Sequence, residues 1–230
     1  MVWLWVGTFV VLDGAAALVG GLLPDRWLSR HRPVMLGFAA GALLSVAVLD
    51  LVPEALASRG AIVIPWLVAG IVALAALDYV FDAHGHHTHS VAFALLGSDA
   101  VHNFGDGVAI AAAFLHSTHL GVITSVAVLV HELPEELADY AILRESQIAK
   151  ARSLLWLALV QLTAGLGAAV TLLGATLGNG HAIVLAIAGG TFIYIALVEL
   201  MPDILRTGSK RERIVALASL VAGAGLIALL

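Results

Sequence analysis

Apolar runs long enough to cross a bilayer as helices, about 20 residues each, follow one another along this chain with only short polar breaks. Of its 230 residues 61% are hydrophobic and 12% charged, too little polar surface to cover a soluble core of this size. The chain therefore reads as a polytopic membrane protein. Segments of alternating apolar and polar residues are absent, which excludes a β-barrel and leaves an all-α fold. Eight spans are expected, near Val2–Leu23, Val34–Ala57, Ala61–Phe81, Val91–His116, His119–Leu143, Ser153–Leu177, His181–Leu205 and Ile214–Leu230. Loops are short throughout, so residues 1–230 read as a single transmembrane domain.

The basic residues set the topology. Arg26, Arg30, Arg32, Arg144, Lys150, Arg152, Arg206, Lys210, Arg211 and Arg213 all fall after odd-numbered spans, and only Arg59 falls on the other side. By the positive-inside rule both termini lie outside. The first apolar run lacks a basic leader and an Ala-x-Ala end before Leu23, so it reads as a retained span. There is no cysteine, hence neither a disulfide frame nor a thiolate site. Any metal must be held by imidazole, carboxylate or amide. The net charge of −5 carries little meaning, because most acids sit inside apolar segments and most bases between them. Nothing in the pattern points to nucleic acid.

The acids within the spans carry the functional signal. On a helix, Asp99, His102, Asn103 and Asp106 fall at i, i+3, i+4 and i+7, one stripe on one face. In the next span His131 and Glu135 are one turn apart, as are Glu132 and Glu136, and Glu135 and Asp139. A shift of 29 residues takes His102 to His131, Asn103 to Glu132 and Asp106 to Glu135. Two such helices face to face bring imidazoles and carboxylates together, a cluster suited to a divalent cation or to protons. Asp99 reads as a partner for the free ring nitrogen of His102. Glu136 and Asp139 read as supporting groups or steps of a path toward the cytoplasm. Asp13 and Asp78 read as interhelical partners.

Span 2 contains Gly41 and Asp50-Leu-Val-Pro-Glu54, and span 7 contains Gly190 and Glu199-Leu-Met-Pro-Asp203. The repeated pattern predicts an inverted repeat of spans 1–3 and 6–8 around spans 4 and 5, with Pro-interrupted helices opening backbone at midplane. Asp50, Glu54, Glu199 and Asp203 then either line the path or cap broken helices near the interface. Gly165-Leu-Gly167 and Gly223-Ala-Gly225 read as close helix packing. Between spans 3 and 4, His84, His86, His87 and His89 make a stretch that either collects or senses metal or is a solvated loop.

His102-Asn-Phe-Gly-Asp-Gly107 followed by His131-Glu-Leu-Pro-Glu-Glu-Leu-Ala-Asp139 resembles the ZIP family of divalent metal transporters, in the branch with HNxxDG and HExPxExxD motifs. The resemblance implies transport of Zn²⁺, or of Fe²⁺, Mn²⁺ or Cd²⁺, into the cytoplasm through a binuclear site, with no organic cofactor. It also implies a homodimer embedded in the lipid of the cell membrane, plasma or inner. Position by position, one metal would be held by His102, Asp106, His131 and Glu135. A second would be held by Asn103, Glu132 and a bridging Glu135, with Gln161 at a place where some members have Glu. Here Gly105-Asp106 stands where the family often has Pro-Glu, a shorter ligand arm beside a freer backbone.

Two other classes remain at this stage. An intramembrane zinc-dependent hydrolase would also use imidazole and carboxylate, but Glu135 breaks the H-E-x-x-H template that a zincin needs. A proton-coupled carrier of an organic ion would use the carboxylates without metal.

Overall fold

The computed structural model describes residues 1–20, 25–84, 88–174, 180–206 and 208–230. Among them there are only helices. In chain order these are α1 (Val2–Gly20), α2 (Asp25–Ser45), α3 (Val52–Arg59), α4 (Ile64–His84), α5 (Thr88–His116), α6 (Thr118–Glu145), α7 (Lys150–Gly174), α8 (His181–Tyr194), α9 (Met201–Arg206) and α10 (Lys210–Leu229). Among the described residues four stretches are long and apolar enough to cross a membrane: Arg30–Val80, Lys150–Gly174, His181–Arg206 and Lys210–Leu229. The helices α5 and α6, which carry most of the buried acids, are not among those four.

The apolar surface is arranged for lipid. On α7, Leu155, Leu159, Leu162, Leu166, Val170 and Leu173 recur every three or four residues and are exposed. The opposite face buries Ser153, Leu157, Gln161, Ala164 and Ala168. A bare leucine stripe of this length would aggregate in water, whereas hydrocarbon is its natural solvent. The interior is accordingly built from small residues: Ala39, Ala40, Ala47, Ala109, Ala111 to Ala113 and Ala127 are all buried.

Two helices are interrupted in the same way. Between α2 and α3 the chain makes a π-helical turn, Val46–Leu51, and between α8 and α9 another, Ile195–Leu200. Each precedes a proline, Pro53 or Pro202, in the first turn of the next helix. Proline has no N–H for the carbonyl four residues back and its ring crowds that carbonyl, so a widened turn accommodates it. In both, the fifth residue of the π turn is acidic, Asp50 and Glu199.

Close contacts repeat around these interrupted helices. On α2, a Cβ built at Gly41 would lie 2.0 Å from the Leu220 carbonyl of α10, and one at Gly223 of α10 lies 2.1 Å from the Phe38 carbonyl. On α8, Gly190 meets the Leu67 carbonyl of α4 at 2.1 Å, and Gly70 of α4 meets the Ile187 carbonyl at 2.3 Å. Residues 38 and 41 map onto 187 and 190 by one shift, and 67 and 70 onto 220 and 223 by another. Of the glycine pairs read from sequence, Gly167 and Gly223 make backbone contacts, whereas Gly225 has open space and Gly165 touches only Val10.

One boundary departs clearly from the reading above. The helix expected to begin at Val34 begins at Asp25, so Arg30 and Arg32 stand on helix rather than loop, with Pro33 inside it. The histidine-rich stretch is also shorter than it looked: His84 closes α4 and His89 belongs to α5, while His86 and His87 lie outside the described residues.

Candidate metal centre

Helices α5 and α6 pair along their length, and each places its histidine at its middle. His102 is the fifteenth of the 29 residues of α5, and His131 the fourteenth of the 28 of α6. At 1.5 Å per residue, each lies about 20 Å from either helix end. Helix α7 presses against α5 at the same level: a Cβ at Gly107 would lie 1.8 Å from the Ala164 carbonyl, and one at Gly167 would lie 2.0 Å from that of Phe104. Only glycine allows backbones so close, and this approach brings Gln161 of α7 into the cluster. Pro134 lies within α6 and removes the donor to the Val130 carbonyl, freeing backbone one residue before His131.

The geometry is that of a ligand shell. The Nε2 atoms of His102 and His131 stand 3.1 Å apart. Asp106 Oδ2 is 3.5 Å from the first and 3.2 Å from the second. A tetrahedral ion with arms of about 2.0–2.1 Å has ligand–ligand edges of about 3.3 Å. This triangle fits it. Glu135 Oε2 lies 3.4 Å from His102 Nε2 and can close the fourth corner. Glu132 Oε1 stands slightly further out, 3.9 and 3.7 Å from the two imidazoles. His102, His131, Glu132 and Glu135 each offer one ligand atom, and all four atoms lie within 4.8 Å of one another.

The tautomer is set by the backbone. His131 Nδ1 lies 3.3 Å from the Ala127 carbonyl, so that nitrogen carries the hydrogen and Nε2 turns its lone pair inward. The ring of Phe192, on α8, lies 6.2 Å from that of His131 and walls the site on that side.

Around this core, acceptors outnumber donors. Asn103 donates through Nδ2 to the Asp99 carbonyl at 3.1 Å and to Asp99 Oδ1 at 2.6 Å. Gln161 donates through Nε2 to Glu132 Oε2 at 3.0 Å and to Glu136 Oε1 at 2.5 Å. Both amides thus engage acids with their NH₂ ends, and their oxygens, with Asp106 Oδ2, Glu132 Oε1, Glu136 Oε2 and Asp99 Oδ2, accept nothing. Buried acceptors without donors are costly in hydrocarbon, and a cation is what such a set lacks. Asp99, read from sequence as a partner of His102, accepts from Asn103.

Beside His102 and Asp106 a cavity of about 210 Å³ opens among Leu74 and Leu77 of α4, Phe104 and Gly105 of α5, Thr191 of α8 and Ile195 of the second π turn. Gly105 lines it, where any side chain would narrow the way to Asp106. Glu199, on that π turn, is close enough to act electrostatically on Glu135 and His102. The other three acids of the interrupted helices face elsewhere. Asp50 acts on His119, Glu54 pairs with His116 Nε2 at 3.0 Å, and Asp203 accepts from Arg32 Nη2 at 2.6 Å. Asp78 accepts from Tyr194 at 2.8 Å, as its reading as an interhelical partner expected. Asp13 does not follow that reading: it is fully buried on α1, and neither oxygen has a partner. Sequence reasoning gave no role to His116 and His119, and gave Asp13 only that of an interhelical partner. The histidines stand at helix ends with no motif around them, whereas Asp13 was visible as a lone acid in an apolar run.

The sequence pattern of the family described as ZIP zinc transporter matches residues 81–230. Zinc transporter ZIP13 of Pongo abelii is 33% identical over 236 residues, covering 89% of this chain and 68% of that protein. Zinc transporter ZIP4 of Mus musculus is 42% identical over 113 residues, 49% of this chain and 17% of that protein. Zinc transporter SLC39A7 of Rattus norvegicus is 35% identical over 143 residues, 59% of this chain and 31% of that protein. The chain thus spans well under half the length of the ZIP4 and SLC39A7 relatives it matches.

Proposed function

Because this chain belongs to the ZIP zinc transporter family, we propose that it carries a divalent transition-metal ion across the membrane into the cytoplasm, zinc foremost. The observation that carries this reading is the triangle of His102 Nε2, His131 Nε2 and Asp106 Oδ2, with edges of 3.1–3.5 Å, at the middle of α5 and α6. One ion is held there with Glu135 as fourth ligand. A second is held by Glu132, Asn103 and Gln161, with Glu135 shared between the two. The relatives' printed names support zinc as cargo. Mixed imidazole and carboxylate donors also accept iron, manganese and cadmium. The family supplies no support for the hydrolase alternative.

The chain crosses the membrane eight times with both termini outside, in a 3+2+3 arrangement. The two π turns, the matching acids and the shared glycine contacts at 41 and 190 support an inverted repeat. Arg32 and Glu54 sit at opposite ends of one interrupted helix, separated by about 33 Å at 1.5 Å per residue, a bilayer's breadth. Their ion pairs, with Asp203 and His116, then mark the inner and outer faces. In that frame the 210 Å³ cavity flanks the centre at its own depth, between α4, α5 and α8. Asp99, Glu136 and Asp139 lead from the centre toward the cytoplasm, where His84, His86, His87 and His89 receive or sense the released ion. Two copies pair as a homodimer in the lipid.

Zinc uptake into sealed proteoliposomes tests this reading. Wild type is expected to accumulate zinc, while His131→Ala and Glu135→Ala purify as folded protein and lose uptake. Normal uptake by either variant would overturn the site.

A further inference from the structure

The neutral amide of Gln161 leaves the second metal position one carboxylate short of the pattern that the resemblance implies. Helix α1 packs against α6 and α7 and turns Val6 and Asp13, two helical turns apart, into the interior, where both are buried. The register of α1 on α7 is fixed at two points: a Cβ on Gly14 would lie 3.7 Å from Gln161 Cβ, and one on Gly165 would lie 3.8 Å from Val10. Asp13 therefore stands level with Gln161, whose NH₂ holds Glu132 and Glu136.

Asp13 is 0% exposed, and neither carboxylate oxygen has a hydrogen-bond partner. The charges that act on it most strongly are those of Asp106, His131 and His102, with no lysine or arginine among them. In turn, Asp13 is the charge that acts most strongly on Glu132. A bare carboxylate facing other carboxylates inside a bilayer is expensive unless a cation stands between them. With both histidines neutral, the acids named for the two ions are Asp106, Glu132 and Glu135, and Asp13 adds a carboxylate from α1.

We propose that Asp13 is a ligand of the metal position faced by Glu132, supplying from α1 the carboxylate that Gln161 lacks on α7. The proposal rests on the reading of the centre as a transport site and adds to it a residue from a third direction. Occupancy of the second position then ties α1 to α6, so loading metal there clamps the two helices together.

Zinc stoichiometry by calorimetry and elemental analysis tests it on the purified full chain, in a background with His84, His86, His87 and His89 replaced by serine. Wild type is expected to bind two zinc ions per chain. Asp13→Asn is expected to bind one, or to weaken the second by at least about tenfold. Adding Gln161→Glu to Asp13→Asn should restore the second ion by returning the charge to α7. Two ions at wild-type affinity in Asp13→Asn, or one ion in wild type, overturn the proposal. His131→Ala separates the two ideas. If it leaves zinc binding intact, the transport-site reading fails; if it abolishes binding while Asp13→Asn does not alter it, only the role of Asp13 fails. Should Asp13→Asn alone not fold, the double variant is expected to recover both yield and the second ion, and a double variant that stays unfolded also overturns the proposal.

Discussion

The acids of α5 and α6 and the acids of the two π-interrupted helices are the same residue types set in apolar sequence, yet they meet different partners. Asp106 and Glu132 are buried at helix centres and face imidazoles, each with one oxygen that accepts no hydrogen bond. Glu54 and Asp203 stand near helix ends, partly exposed, and each pairs with one basic side chain. A satisfied acid at an interface fastens helices; an unsatisfied cluster at midplane waits for a cation. Glu199 lies between these cases, with the sequence context of the second group and the electrostatic neighbours of the first.

The contrast can be broken most sharply by removing one imidazole. Outer partners of metal ligands alone are worth about 10–100-fold in affinity, so His131→Ala, which deletes a ligand, should cost more than about a hundredfold. Calorimetric zinc titration reads this, and an unchanged affinity would put the centre elsewhere. Next in size is the backbone approach beneath the centre. Gly107→Val drives a side chain into the Ala164 carbonyl, 1.8 Å from the first added carbon. Overpacking of this kind should destabilise by about 3 kcal/mol, seen as a lowered unfolding temperature, with uptake lost as α5 and α7 part.

Protonation sharpens the contrast further. Metal ligands must be deprotonated, and imidazole titrates near pH 6.5 in the absence of perturbation. Protons therefore compete with metal for Nε2 of His102 and His131 and must leave before metal binds. Affinity should therefore fall as pH drops from about 7.5 to about 5.5, with more than one proton released per ion on loading. Calorimetry in two buffers of different ionisation enthalpy counts those protons. A flat profile would remove the histidines from the site. The smallest effect belongs to the exposed pair. Arg32→Ala or Asp203→Asn breaks a contact whose side chains are 58% and 46% exposed, worth at most about 1 kcal/mol. Uptake should stay within about twofold of wild type, and a tenfold loss would move Asp203 into the ion path.

Much of this was legible in residue spacing. A helical period places His102 and Asp106 on one face whatever surrounds them, and hydropathy alone dictates helices in place of strands. The prolines at 53 and 202 announced an interruption, though not that it takes the form of a π turn ending two residues before each. What spacing cannot carry is which helix a lone side chain meets. Asp13 has no motif around it, and its role depends on Gly14 resting on Gln161, a contact across some 150 residues of chain. Asn103 likewise had two acids within reach along its helix, and the fold decides that its NH₂ goes to Asp99.

The central claim is that two imidazoles and Asp106 hold one ion at the middle of α5 and α6. Anomalous diffraction at the zinc edge from zinc-loaded crystals tests it most directly. The account predicts a peak about 2.0–2.1 Å from both His102 Nε2 and His131 Nε2, with Asp106 and Glu135 completing the shell. A strongest peak elsewhere, with the space between the two imidazoles empty, would contradict it.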